Sequence, residues 1–93
     1  MARVPSYIVE TYLARAARGE YAARERRARS AAEKLTREGA RVSFEGSTYV
    51  PEDEICFFTF EAPSGREAAL VAQRAGLDPM RIVHAVSSRQ ENR

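Results

Sequence analysis

The sequence predicts an α+β domain in which four strands form one antiparallel sheet and two helices cover one of its faces, in the order βαββαβ. Three observations carry that expectation. Apolar residues recur at helical spacing over 15–38. An acidic proline turn, Pro51-Glu52-Asp53-Glu54, separates two segments of strand character. Ser64 followed three residues later by Glu67 then has the form of a capping box opening a second helix.

The elements follow in order. Residues 7–13 are rich in β-branched and aromatic side chains and short, as a strand should be. Over 15–38, Ala17, Tyr21, Ala28, Ala31, Ala32 and Leu35 form the apolar stripe of a long amphipathic helix. Glu20 with Arg24, Glu25 with Arg29 and Glu33 with Arg37 stand four apart with the acid first, the favourable order on a solvated face. Gly39 suits the helix stop. Residues 41–50 read as a second strand, with Val42 and Phe44 on one face and Ser43 and Glu45 on the other. A third strand is expected over 55–62, a helix from Ser64 to Gly76, a last strand over 80–86 and a polar tail over 87–93.

Composition narrows the function classes. A chain of 93 residues with 44% hydrophobic content suits one small folded domain. One cysteine, Cys56, excludes an intrachain disulfide and a thiolate zinc site within one chain. With no apolar run of signal-peptide or membrane-span length, a reducing, cytoplasmic location without membrane contact is expected. A net charge of +2 does not by itself name a nucleic-acid partner.

In this topology the first and third strands lie at the centre of the sheet, and the face away from the helices is open. Alternation sends Cys56, Phe58, Phe60 and Ala62 under the helices and turns Ile55, Phe57, Thr59 and Glu61 outward. On the first strand Val9 and Leu13 turn inward, leaving Ile8, Glu10 and Tyr12 open. On the last, Val83 and Ala85 are expected inward, with Ile82, His84 and Val86 open. A face carrying Ile8, Phe57, Ile82 and Val86 is too apolar for water, so a second copy of the chain is expected to cover it. The covered space would hold Tyr12, Thr59 and Phe57 as a ligand cavity, beside Glu10, Glu61 and His84.

His84 is the only histidine. With Glu10 and Glu61 it makes a nitrogen and oxygen donor set suited to a divalent ion such as nickel. The bland alternative is that these groups satisfy one another across the dimer. Cys56 is expected as a buried apolar residue, and the Glu52-Asp53-Glu54 turn as solvated, since it lacks the donor spacing and glycine of a calcium loop. Arginines at 15, 18, 24, 26, 27 and 29 make the first helix basic, but the paired glutamates point to an ordinary solvated face. RNA reading on the sheet is disfavoured, because Ile55 to Glu61 lacks the basic and glycine start of the RNA signature and its carboxylates repel phosphates.

Several stretches together resemble a known family. They are Val9-Glu10-Thr11-Tyr12-Leu13, Gly46-Ser47 with Tyr49-Val50-Pro51-Glu52-Asp53-Glu54, Cys56-Phe57, Phe60-Glu61-Ala62-Pro63, and Arg74-Ala75-Gly76-Leu77 with Arg81-Ile82. The family is a bacterial group of small ferredoxin-like proteins, catalogued mostly as a domain of unknown function, which includes nickel-responsive, nickel-binding members. The resemblance implies a ferredoxin-like sheet, a homodimer joined through sheet faces as in dimeric α/β barrels, and nickel binding without a catalytic role.

The leading expectation is therefore a homodimeric, non-catalytic, metal-binding protein using His84, Glu10 and Glu61. A second is a dimeric α/β-barrel enzyme or binder of a small organic molecule, with His84 as acid or base and Tyr12 as its hydrogen-bonding partner. A third is a structural module that binds a protein partner.

Overall fold

A computed structural model describes residues 4–86. It has the expected ferredoxin-like architecture. β1 (Ser6–Tyr12), α1 (Tyr21–Arg37), β2 (Ser43–Val50), β3 (Ile55–Glu61), α2 (Gly65–Arg74) and β4 (Arg81–Ala85) follow in that order. The sheet runs β2-β3-β1-β4 with every neighbouring pair antiparallel. The tail expected over 87–93 lies outside the described residues.

The helix expected from residue 15 begins as a 3-10 segment, Arg15–Glu20, with non-helical torsions at Ala17. Gly19, a weak helix former, falls in this stretch, and no side chain caps it. Both α-helices stop at a glycine in the left-handed region, Gly39 at φ 102° and Gly76 at φ 68°. The next N–H reaches back five residues in each case, Ala40 to Leu35 O and Leu77 to Ala72 O, which satisfies carbonyls the helix leaves unpaired. At the start of α2, Ser64 is the cap residue, but its hydroxyl bonds the Glu67 carboxylate rather than the backbone.

The helices and one sheet face enclose the core. Val9, Leu13, Cys56, Phe58, Phe60 and Ala62 pack from the sheet against Ala28, Ala31, Ala32 and Leu35 of α1 and Ala68, Val71 and Ala72 of α2. Small alanines on both helices let their backbones approach the aromatic sheet surface closely. Thr11 is the one buried polar residue among them, and its hydroxyl donates to Cys56 O at 3.3 Å.

Only one of the three expected ion pairs along α1 is present. Glu20 lies 3.7 Å from Arg24. Glu25 instead turns to the sheet, accepting from Ser47 Oγ at 3.0 Å, while the Tyr21 hydroxyl lies 2.8 Å from the same Oγ. Arg29 lies over the Phe44 ring at 5.0 Å. The half-buried Ser47 hydroxyl, itself held by Tyr21, gives Glu25 a better-fixed partner than an exposed arginine would.

The fourth strand corrects the expected faces. Glu10 pairs with Arg81, Val9 with Ile82, Ile8 with Val83 and Tyr7 with His84. Paired residues share a face, so Val83 and Ala85 are open while Ile82 and His84 lie on the helix side. Ile82 packs against the core. The reason is twofold: the bulkier of two adjacent apolar residues fills the space under α2, and Arg81 is brought onto the face of Glu10. Val86, 87% exposed beyond the end of β4, borders the concavity on the open face without being part of the strand.

Candidate functional site on the open sheet face

Four rows of residues cross the open face. The first is Ser43, Glu61, Ser6 and Ala85, the second Gly46, Thr59, Ile8 and Val83. The third is Thr48, Phe57, Glu10 and Arg81, and the fourth Val50, Ile55 and Tyr12. Ile8, Phe57, Val83, Ile55 and Val50 are all half-buried. The face is thus as apolar as expected, with Val83 in the place expected for Ile82.

The charged and polar groups separate to its two ends. In the third row Arg81 Nε donates to Glu10 Oε1 at 3.0 Å. The Glu10 side chain is only 15% exposed, and its partner, 67% exposed, neutralises it within the chain. At the far corner Tyr12, 54% exposed, donates its hydroxyl to Glu54 Oε1 at 3.3 Å. The Arg15 backbone N–H donates to the other Glu54 oxygen at 2.9 Å, and this bond foremost holds the Glu54 carboxyl below the usual glutamate range. The negative charge of Glu54 in turn raises the Tyr12 phenol. Leu13 N–H also donates to Glu54 O, so the acidic turn is fastened to the end of β1 rather than standing free in solvent.

The opposite end holds a concavity of about 680 Å³. Ser6, Ile8, Thr59, Glu45, Glu61 and Ala85 shape it, with His84 at the rim. Ser43 Oγ donates to Glu45 Oε2 at 2.9 Å and lies 3.5 Å from Glu61 Oε1, so one hydroxyl stands between two carboxylates. Neither carboxylate is paired with a lysine or arginine among the described residues. The volume falls in the range of about 300–1,000 Å³ typical of small-molecule sites.

Of the expected site residues, Thr59, Glu61 and His84 line this pocket and Phe57 lies one row away. Glu10 and Glu61 do share a face, but their rows are four residues apart along β1, about 13 Å at strand rise. The His84 ring belongs to the other face, its centroid 5.4 Å from that of Tyr7. His84, Glu10 and Glu61 therefore do not converge on one ion within a chain. No group of three histidine, cysteine or carboxylate side chains with metal-holding geometry occurs among the described residues. Within one chain, these three donors do not form the nickel site that the family resemblance implies. The acid and hydrogen-bonding pair of the enzyme reading is likewise apart: Tyr12 and the His84 partner Tyr7 are five residues, roughly 17 Å, apart along β1.

Cys56 is fully buried, and desolvation pushes its thiol up to about 11. It is a core residue, as expected. Glu45, placed by alternation on the face away from Phe44, was not among the expected cavity residues. The glycine at 46 marks a bulge inside the strand, where pairing skips Glu45 between Phe44 and Gly46.

No helix among the described residues is long and apolar enough to cross a membrane. Comparison with protein-family models finds no match, and neither do searches of curated proteins or of solved structures.

Proposed function

We propose that the protein is a homodimeric, non-catalytic binding protein whose open sheet faces pack together and whose pocket takes a small organic cation. The observation that carries this reading is the pair of carboxylates, Glu45 and Glu61, facing one hydroxyl at the polar end of an otherwise apolar surface. An ammonium group would replace the missing countercharge and donate to both carboxylates, while Ile8 and Ala85 would receive an apolar body. Self-association is supported by the internal pairing of Glu10 with Arg81. Because that charge is already neutralised, a second copy of the same face can cover it without burying an unpaired ion.

Sedimentation velocity on the wild type and Phe57→Glu tests the dimer, with a dimer expected for the first and a monomer for the second. Calorimetric titration with phenethylamine and spermidine, beside nickel, tests the ligand. Saturable amine binding lost in Glu61→Gln is the expected result. Saturable nickel binding with no amine heat would replace the organic cation by a metal held between two chains. A wild type that stays monomeric at high concentration would end the sheet-face reading.

A further inference from the structure

The groove between α1 and α2 lies on the side of the molecule away from the open sheet face. It is a concavity of about 640 Å³ lined by Arg26, Arg27, Lys34 and Arg74, with Ser30 and two alanines completing the wall. No carboxylate lines it. The glutamates that should have neutralised α1 do not line it: Glu25 accepts from Ser47, and Glu33 borders a separate concavity with Arg29 and Arg37. Among the described residues Arg26 and Lys34 have no ion-pair partner.

One cation is already fixed in place. Arg27 Nε donates to Ala75 O at 2.9 Å, which anchors the guanidinium across the two helices and uses one of its five N–H donors. Arg74 is held at the far edge by Glu38, at 3.2 and 3.3 Å. Small side chains at the floor leave the concavity open between these groups. Pre-placed guanidinium and ammonium donors around one hollow, with a hydroxyl beside them, are the chemistry that recognises phosphoryl oxygens.

The cluster is also short. From residue 26 to 34 the helix rises about 12 Å. Exposed carboxylates close it at both ends of α1, Glu20 at the start and Glu38 just past the end. An extended nucleic-acid backbone running along the helix would meet both charges, whereas a compact polyanion seated over Arg26, Arg27 and Lys34 would approach only Glu38, already paired with Arg74 at the edge.

We propose that this groove binds a compact oligophosphate, either free or as the polyphosphate of a nucleotide, held by Arg26, Arg27 and Lys34, with the Glu38-paired Arg74 forming its edge. This is independent of what the sheet face binds. The test is calorimetric titration of the full chain with inorganic tripolyphosphate, ATP, adenosine and a series of single-stranded RNA oligonucleotides at two salt concentrations. The groove variant is Arg26→Gln with Lys34→Gln. Its control, Arg18→Gln with Arg66→Gln, removes the same charge from exposed positions off the groove.

Saturable tripolyphosphate binding that weakens roughly tenfold or more in the groove variant and less than about threefold in the control is expected, since only the former loses two charge-assisted contacts. ATP matching tripolyphosphate, with adenosine silent, would place recognition in the phosphates. ATP binding much more tightly would assign the groove to a nucleotide. The proposal fails if no saturable heat appears or if both variants weaken equally. It also fails if affinity rises with RNA length beyond that of tripolyphosphate, which would make the groove a nucleic-acid surface.

Discussion

The register of β4 decides which residues the open face presents, and a pair of adjacent substitutions tests it. Ile82 packs against the core, whereas Val83 faces outward opposite Ile8. Truncating a core isoleucine to alanine costs about 2–5 kcal/mol, and the half-buried, edge-strand position of Ile82 puts Ile82→Ala near 2. For a domain of this size each kcal/mol moves the midpoint by about 4–8 °C, so a fall of roughly 8–16 °C is expected. Val83→Ala removes a β-branched residue from an open face, a change of about 1 kcal/mol or less in the isolated chain. Thermal unfolding followed by circular dichroism, at concentrations low enough to suppress association, reads both. If Val83→Ala costs as much as Ile82→Ala under those conditions, the strand is shifted by one residue. His84 would then stand on the open face, although Glu10 and Glu61 would still lie about 13 Å apart.

Two further outcomes follow from shifted ionisations. The lowered folded value of the Glu54 carboxyl means the folded state binds its proton less readily than the unfolded state does. That contribution is complete above the ordinary value of 4.5 and is lost as the pH falls through the lowered folded value. The wild type should therefore lose thermal stability more steeply than Glu54→Gln below about pH 4.5, measured as midpoint against pH; parallel curves would remove Glu54 from the account. The buried Cys56 thiol, at about 11, should resist an aromatic disulfide reagent at pH 8 in the native protein and react at once in guanidinium. Rapid native labelling would mean that β3 opens locally.

The architecture was legible because independent local signals agreed. The acidic proline turn, the two glycine stops and the alternation of Cys56, Phe58, Phe60 and Ala62 each favoured the same topology, and the strand order follows from it. What was not legible depended on partners far away in sequence. Ile82 and Val83 are both apolar, so β4 carries no parity of its own. Its register is tied to Glu10, whose carbonyl accepts from Met80 N–H at 2.7 Å and whose carboxylate pairs with Arg81. Likewise, the order of acid and arginine along α1 suggested paired charges, but it could not show that Ser47 would claim Glu25 from another element. The pocket was half legible: Thr59, Glu61 and Glu45 each face outward by alternation in their strands, while the phase of β2 beyond Glu45 requires the bulge.

That irregularity divides β2 into two halves of opposite phase. Phe44 precedes it and Ser47 and Tyr49 follow it, yet all three turn toward the helices, where Tyr49 donates to Leu13 O at 2.9 Å. In an uninterrupted strand Phe44 and Tyr49, an odd number of positions apart, would point to opposite sides. Glu45 is therefore the extra residue of a bulge: without it Phe44, Gly46, Ser47 and Tyr49 would stand opposite Phe60, Thr59, Phe58 and Cys56 in a regular ladder, and only the carboxylate it brings to the pocket would be lost. Loss of a residue at this point keeps every pairing of β2 with β3, whereas loss of a single residue elsewhere in the strand changes the partners of every side chain on one side of the gap.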